Sequence, residues 1–129
     1  MAGSAVTVSQ TVRAVIYGMV FWFTAAMVVH FRPALFDRDI AQALLFAVSV
    51  PVAWVCTWVT ARAASVARDR ILAPTVVATI AATWLDGVAL TWLPELYAGV
   101  SPTTQFGAAW ILWGVGWLLL FAYLAERRT

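Results

Sequence analysis

"ILAPTVVATIAATWLDGVALTWL", residues 71–93, is a hydrocarbon run broken by a single carboxylate, Asp86. It is close to the ~20 residues an α-helix needs to cross ~30 Å of hydrocarbon. Its apolar character is continuous, whereas a membrane β-barrel would show alternating segments of about 10 residues. The stretch therefore reads as a membrane-spanning helix that carries an acid inside it.

Three more runs of the same kind flank it. Residues 12–31 end at Arg32-Pro33, residues 40–61 follow Asp37-Arg38-Asp39, and residues 106–125 end at Glu126-Arg127-Arg128. Composition agrees: the 129 residues are 64% hydrophobic and 11% charged, with mean hydropathy +0.88. Soluble domains carry about 25% charged and about 45–50% apolar residues, so a soluble bundle of this size could not hide so much apolar surface. The expectation is one all-α domain over 1–129, an integral membrane four-helix bundle with the lipid bilayer as its solvent. The first run is too long for a signal peptide and lacks a small-residue exit followed by a polar domain, so it reads as a retained helix.

Arginine placement orients the bundle. Arg13, Arg62, Arg68, Arg70, Arg127 and Arg128 fall on one side. Arg32 and Arg38, offset by Asp37 and Asp39, fall on the other. The positive-inside rule then places both termini in the cytoplasm. The chain has no lysine, which excludes a Schiff base, a lysine nucleophile and a phosphate-loop lysine. A net charge of +2 without a basic stripe gives no nucleic-acid footprint. Cys56 is the one cysteine and His30 the one histidine, and they lie at different depths, so no disulfide, metal or haem site is expected. No hydrolase triad or phosphate-loop signature occurs, and no catalytic residue or cofactor is assigned.

An internal echo accompanies the four runs. "RPALFD" follows the first and "LPELYA" the third, a shared Pro-x-Leu-aromatic pattern 61 residues apart. It fits either two related helical hairpins in parallel orientation or coincidence.

Asp86 is the first candidate for chemistry. A carboxylate at mid-membrane costs about 2.5–3.5 kcal/mol on insertion scales, and such residues usually face the bundle interior or a water-filled cavity. It is either a proton- or cation-binding acid, or a packing residue that hydrogen-bonds a neighbouring helix. Its depth is shared by Thr24 on the first helix, residues 47–49 on the second and residues 112–114 on the fourth. Pro51 removes the amide that would bond the Ala47 carbonyl, and that carbonyl needs another partner where there is no water. The expectation is that a protonated Asp86 supplies it, with Ser49 and Thr24 as further partners.

Tryptophan is the second anomaly, with eight in 129 residues. Trp22 and Trp84 lie mid-span, Trp54 and Trp58 are i, i+4, and Trp110, Trp113 and Trp117 recur on the last helix. Aromatic walls beside an acid suit a lipophilic cation or a flat apolar ligand. Indoles that fill space between helices or face lipid are the plainer alternative. Small residues pair at four-residue spacing, Ala78 with Ala82 and Thr83 with Gly87, while Gly107 and Gly114 share a face of the last helix. Close helix approach is expected there, whether within one bundle, across a homodimer seam or against a larger membrane complex.

The second half of the chain resembles a bacterial family of small four-helix membrane proteins of unknown function. Residues 71–125 carry the resemblance: mid-span Asp86, then Pro94, then a last helix with Gly107, Trp110, Trp113 and Gly114. The family's Tyr-Gly in the last helix is replaced here by Gly114-Val115-Gly116. The resemblance implies the fold and a bacterial inner membrane, and it supplies no activity.

Two functions compete on these residues. In one, Asp86 binds or transports a proton or a small lipophilic or cationic ligand, with Ser49, Thr24, Trp22, Trp84, Trp110 and Trp113 around it. In the other, the protein is an accessory subunit and Asp86 fixes helix contacts. A lipid-directed enzyme ranks third, because no second acid or base occurs at the depth of Asp86.

Overall fold

In the computed structural model, residues 6–36 and 40–127 are described. Asp37, Arg38, Asp39 and Arg128, which enter the charge count, lie outside them. The described residues form four α-helices and no strand: α1 (Val8–Phe31), α2 (Ile40–Ala64), α3 (Leu72–Trp92) and α4 (Pro102–Arg127). All four are long and apolar enough to cross a membrane.

Each helix overlaps an apolar run, but α1 and α4 begin four residues earlier than hydropathy alone predicts. Polar caps extend them. Thr7 and Gln10 form a reciprocal capping box, with the Gln10 amide donating to Thr7 Oγ1 at 3.1 Å and the Thr7 amide to Gln10 Oε1 at 3.0 Å. Pro102 occupies the first turn of α4, where its missing N–H costs nothing. At the other end of α2, Ser65 adopts φ 57° and Val66 donates back to the Ala61 carbonyl at 3.0 Å, which stops the helix. Arg13 and Gln10 then hydrogen-bond Ser65 and tie the start of α1 to the end of α2. Arg68 covers the Trp58 ring at 3.5 Å on the same end.

The closest helix neighbours are the parallel pairs, α1 with α3 and α2 with α4. Lipid tails are as apolar as Leu, so packing rather than hydrophobic exclusion must hold helices together in a bilayer. Small residues make it possible: Gly18 lies so close to α3 that a Cβ there would sit 2.3 Å from the Ala78 carbonyl oxygen. Ala14, Ala78 and Ala82 are buried along the same seam. Gly107 on α4 is nearly as tight, with an added Cβ 2.8 Å from Val29 Cγ2. Gly87 and Gly114 have open space where a Cβ would go, so the expected close approach does not occur at either.

Two short corner turns close the end opposite the termini, here the far end. Pro33–Phe36 links α1 to α2, and Pro94–Leu96 follows α3. Both are 3-10 turns set by the shared Pro-x-Leu-aromatic pattern, and each is completed by a fully buried aromatic, Phe36 or Tyr97. Phe36 meets Trp110 edge to face at 5.4 Å. Tyr97 turns inward toward Asp86.

Candidate functional site

Asp86 is buried on α3, and its partner comes from the corner turn eleven residues on. Tyr97 Oη donates to Asp86 Oδ1 at 2.5 Å, and Trp22 Nε1 on α1 donates to the same Tyr97 oxygen at 3.0 Å. Indole, phenol and carboxylate thus form a chain across α1, the turn and α3. The phenol is the pivot, accepting from one side and donating to the other, as its inventory of one donor and two lone pairs permits.

Local sequence explains why Tyr97 arrives there. Leu93 makes the last helical bond to the Ala89 carbonyl at 2.8 Å, and Pro94 cannot extend the helix. Tyr97 and Gly99 amides both return to the Pro94 carbonyl, at 2.9 and 3.0 Å. Gly99 does so at φ 69°, in the region that favours glycine. Thr104 Oγ1 then receives the Ala98 amide at 3.1 Å and donates to the Gly99 carbonyl at 2.6 Å. From α1, His30 Nδ1 lies 3.1 Å from the Glu95 carbonyl and 3.0 Å from that of Tyr97. Both partners are acceptors, so Nδ1 carries the proton. Burial first, and the bond to Asp86 second, push the Tyr97 phenol above its ordinary range.

A second polar pair lies between α2 and α4. Ser49 Oγ donates to the Leu45 carbonyl at 2.7 Å and accepts from Trp110 Nε1 at 2.7 Å. One turn away, Trp113 Nε1 donates to the Phe46 carbonyl at 3.0 Å. An apolar cavity of about 60 Å³ adjoins this pair, lined by Ser49 and Trp110 with Phe21, Ala25, Ala53 and Gly114 among its walls. Small-molecule sites run to about 300–1,000 Å³, so this space is far below that class.

The single pocket expected from depth is therefore two clusters. Asp86 bonds Tyr97 rather than the Ala47 carbonyl, and Ser49 serves Trp110 instead of the acid. Ala47 is exposed, and so is Thr24, whose hydroxyl returns to its own helix at the Val20 carbonyl, 2.8 Å away. Depth fixes height but not direction, and α2 makes its main contacts with α4 rather than with α3. A carbonyl in the turn before Pro51 does receive a side-chain donor, but it is Phe46 and the donor is Trp113. Trp84 is 74% exposed, two residues and about 200° around the helix from Asp86, so it walls no pocket with it. Gly87 is exposed. Of the tryptophans expected near the acid, Trp22 alone joins its hydrogen-bond chain.

Tyr97 is the site residue that hydropathy and depth do not point to. Its signal was the repeated Pro-x-Leu-aromatic corner, whose partner Phe36 is buried in the same way. Among the described residues, no group of three or more His, Cys, Asp or Glu could hold a metal ion. No protein-family model, curated protein or solved structure matches the chain.

Proposed function

We propose that this chain is a small multi-pass protein of the bacterial inner membrane, with both termini cytoplasmic, whose Asp86 binds a proton and thereby sets the hold on the far-end turn. The observation that carries this is the buried 2.5 Å bond from Tyr97 Oη to Asp86 Oδ1. A hydrogen bond to an ionised group is roughly twice as strong as one between neutral groups. Ionised Asp86 therefore grips Tyr97 and the Pro94–Leu96 turn behind it, and protonated Asp86 loosens them. Of the ligands an intramembrane acid could take, the proton needs no cavity, and Asp86 lines neither the 60 Å³ space nor the smaller one between α1, α3 and α4. The arginine bias supports the orientation, and the resemblance over residues 71–125 supports the membrane assignment.

The same bond favours a second reading, in which the indole–phenol–acid chain is a static clasp in an accessory or structural subunit. Asp86→Asn separates the two, because Asn keeps an acceptor for Tyr97 and loses the titratable proton. Trp22 reports the outcome, since its indole is one hydrogen bond removed from the carboxylate's partner. The proton reading predicts tryptophan emission that changes with pH in the wild type and is flat in Asp86→Asn, with the fold kept. Identical pH profiles in the two proteins would leave only the clasp.

A further inference from the structure

The outer face of α2 changes character toward the end that bears the termini. Trp54, Trp58 and Arg62 follow one another at four-residue spacing, within an arc of about 80° at about 100° per residue. All three are exposed, so the stripe faces outward rather than into a neighbouring helix. Trp54 and Trp58 meet edge to face at 5.7 Å and present one aromatic surface. Arg62 lies one turn beyond Trp58, about 6 Å along the helix axis.

Arg68 returns to the same place from the turn after α2. Its guanidinium carbon lies 3.5 Å from the centre of the Trp58 ring, a separation that puts it flat against the indole. A guanidinium stacked in this way has one face covered, while its N–H donors point outward from the edge. That fork fits a phosphate through two parallel hydrogen bonds. The ring therefore fixes the cation and leaves its donors free.

Neither cation is neutralised by the protein. Among the described residues, no carboxylate pairs with Arg62 or Arg68, although exposed Asp69 is next in the chain. The same end carries five described arginines against two acids, Asp69 and Glu126. Two cations without a carboxylate partner suit a headgroup of net negative charge over a zwitterionic one. The cytoplasmic leaflet, on the side where the arginine bias puts the termini, is the anionic surface such a cluster meets.

We propose that Trp54, Trp58, Arg62 and Arg68 form a site for one anionic phospholipid of the cytoplasmic leaflet. The Arg68 fork and Arg62 hold the headgroup phosphate, and an acyl chain runs along the Trp58 and Trp54 rings toward mid-membrane. The order of groups along α2 matches the order in such a lipid, with charge at the end and hydrocarbon inward. The inference shares the membrane and its sidedness with the proposed function, but it does not depend on whether Asp86 titrates.

Native mass spectrometry of the detergent-purified protein tests it, with phosphatidylglycerol and phosphatidylcholine of the same chains as probes. Phosphatidylglycerol should bind at least about tenfold more tightly. Arg68→Gln should remove most of that preference. Arg127→Gln, the same change of charge on α4 where Arg127 lies 5.9 Å from the Tyr123 ring, should keep it. Trp58→Leu leaves the net charge unchanged and should still weaken binding several-fold, because Arg68 loses the ring that holds it. Circular dichroism of each variant checks that the helices remain. Equal losses in Arg68→Gln and Arg127→Gln, or none in a folded Trp58→Leu, would overturn the site, since net charge alone would then account for binding. Equal affinity of the wild type for the two lipids would overturn it as well. Full displacement by glycerol phosphate at matching concentration would overturn the part given to the acyl chain, and the lipid with it.

Discussion

The far half of the bundle and the half bearing the termini solve the same problem differently. Both place polar atoms where water is scarce. In the far half indoles and a phenol reach partners on another element, Trp22 to Tyr97, Tyr97 to Asp86, Trp110 to Ser49 and Trp113 to the Phe46 carbonyl, while the Thr24, Ser49 and Thr91 hydroxyls return to their own helices. In the other half the buried polar groups are mainly threonine hydroxyls: Thr57 and Thr60 bond their own helix, and Thr75 and Thr79 have no partner. Long aromatic donors span gaps and lock separate helices. Short hydroxyls leave the helices to be held by close backbone approach, as at Gly18 and Ala78. The far half is a network, and the other half is a seam with a gap in it.

Breaking the seam should cost most. Gly18→Ala drives a Cβ against the Ala78 carbonyl, and backbone cannot step aside as a side chain can. Overpacking of this kind costs about 3 kcal/mol or more when the neighbour is rigid. In the far half Gly107→Ala meets only the Val29 side chain, and about 1 kcal/mol is expected there. Thermal unfolding in one detergent compares the two, and equal losses would erase the distinction between seam and network.

Breaking the network comes next. Tyr97→Phe removes the acceptor of Trp22 and the donor to Asp86, a loss of about 2 kcal/mol. It should also change the alkaline limb of stability. Burial, then the bond to Asp86, raises the Tyr97 phenol above the ordinary 10.0. A group raised on folding contributes its full stability below that ordinary value and loses it as pH climbs through the folded one. Stability should therefore fall above about pH 10 at up to about 1.4 kcal/mol per pH unit, and more gently in Tyr97→Phe. Parallel alkaline limbs for the two proteins would place the loss elsewhere.

The smallest effect sharpens the picture by its sign. Gly114 has open space where a Cβ would go, so Gly114→Ala should stabilise α4 by up to about 1 kcal/mol, the helix-propensity difference. A loss there would mean that the cavity beside Trp110 tolerates no filling.

The fold was legible because lipid imposes length and continuity, and four apolar runs with few charges admit little else. Cap residues such as Thr7 and Gln10 moved the helix ends beyond those runs. Asp86 was legible as an anomaly, since a lone carboxylate in 71–93 is costly in hydrocarbon and needs a partner there. Its partner was not. Reading height along the membrane normal brought Ser49 and Ala47 to the level of the acid, but rotation about the helix axis and the choice of neighbour depend on packing. Gly18 against Ala78 draws α1 to α3 and leaves α2 to α4, a pairing that small-residue spacing on one helix cannot specify. The repeated corner at Pro33 and Pro94 held the missing information, because it marked Tyr97 as a buried aromatic that also carries a hydroxyl.

The most direct measurement is an infrared titration of the protein in lipid nanodiscs, following the protonated-carboxyl band of Asp86 between about pH 4 and about pH 10. The account predicts a band that grows and fades with pH, is absent in Asp86→Asn, and shifts in frequency when Tyr97→Phe removes its hydrogen-bond donor. A wild-type band that stays constant across that range, or one indifferent to Tyr97→Phe, would contradict it.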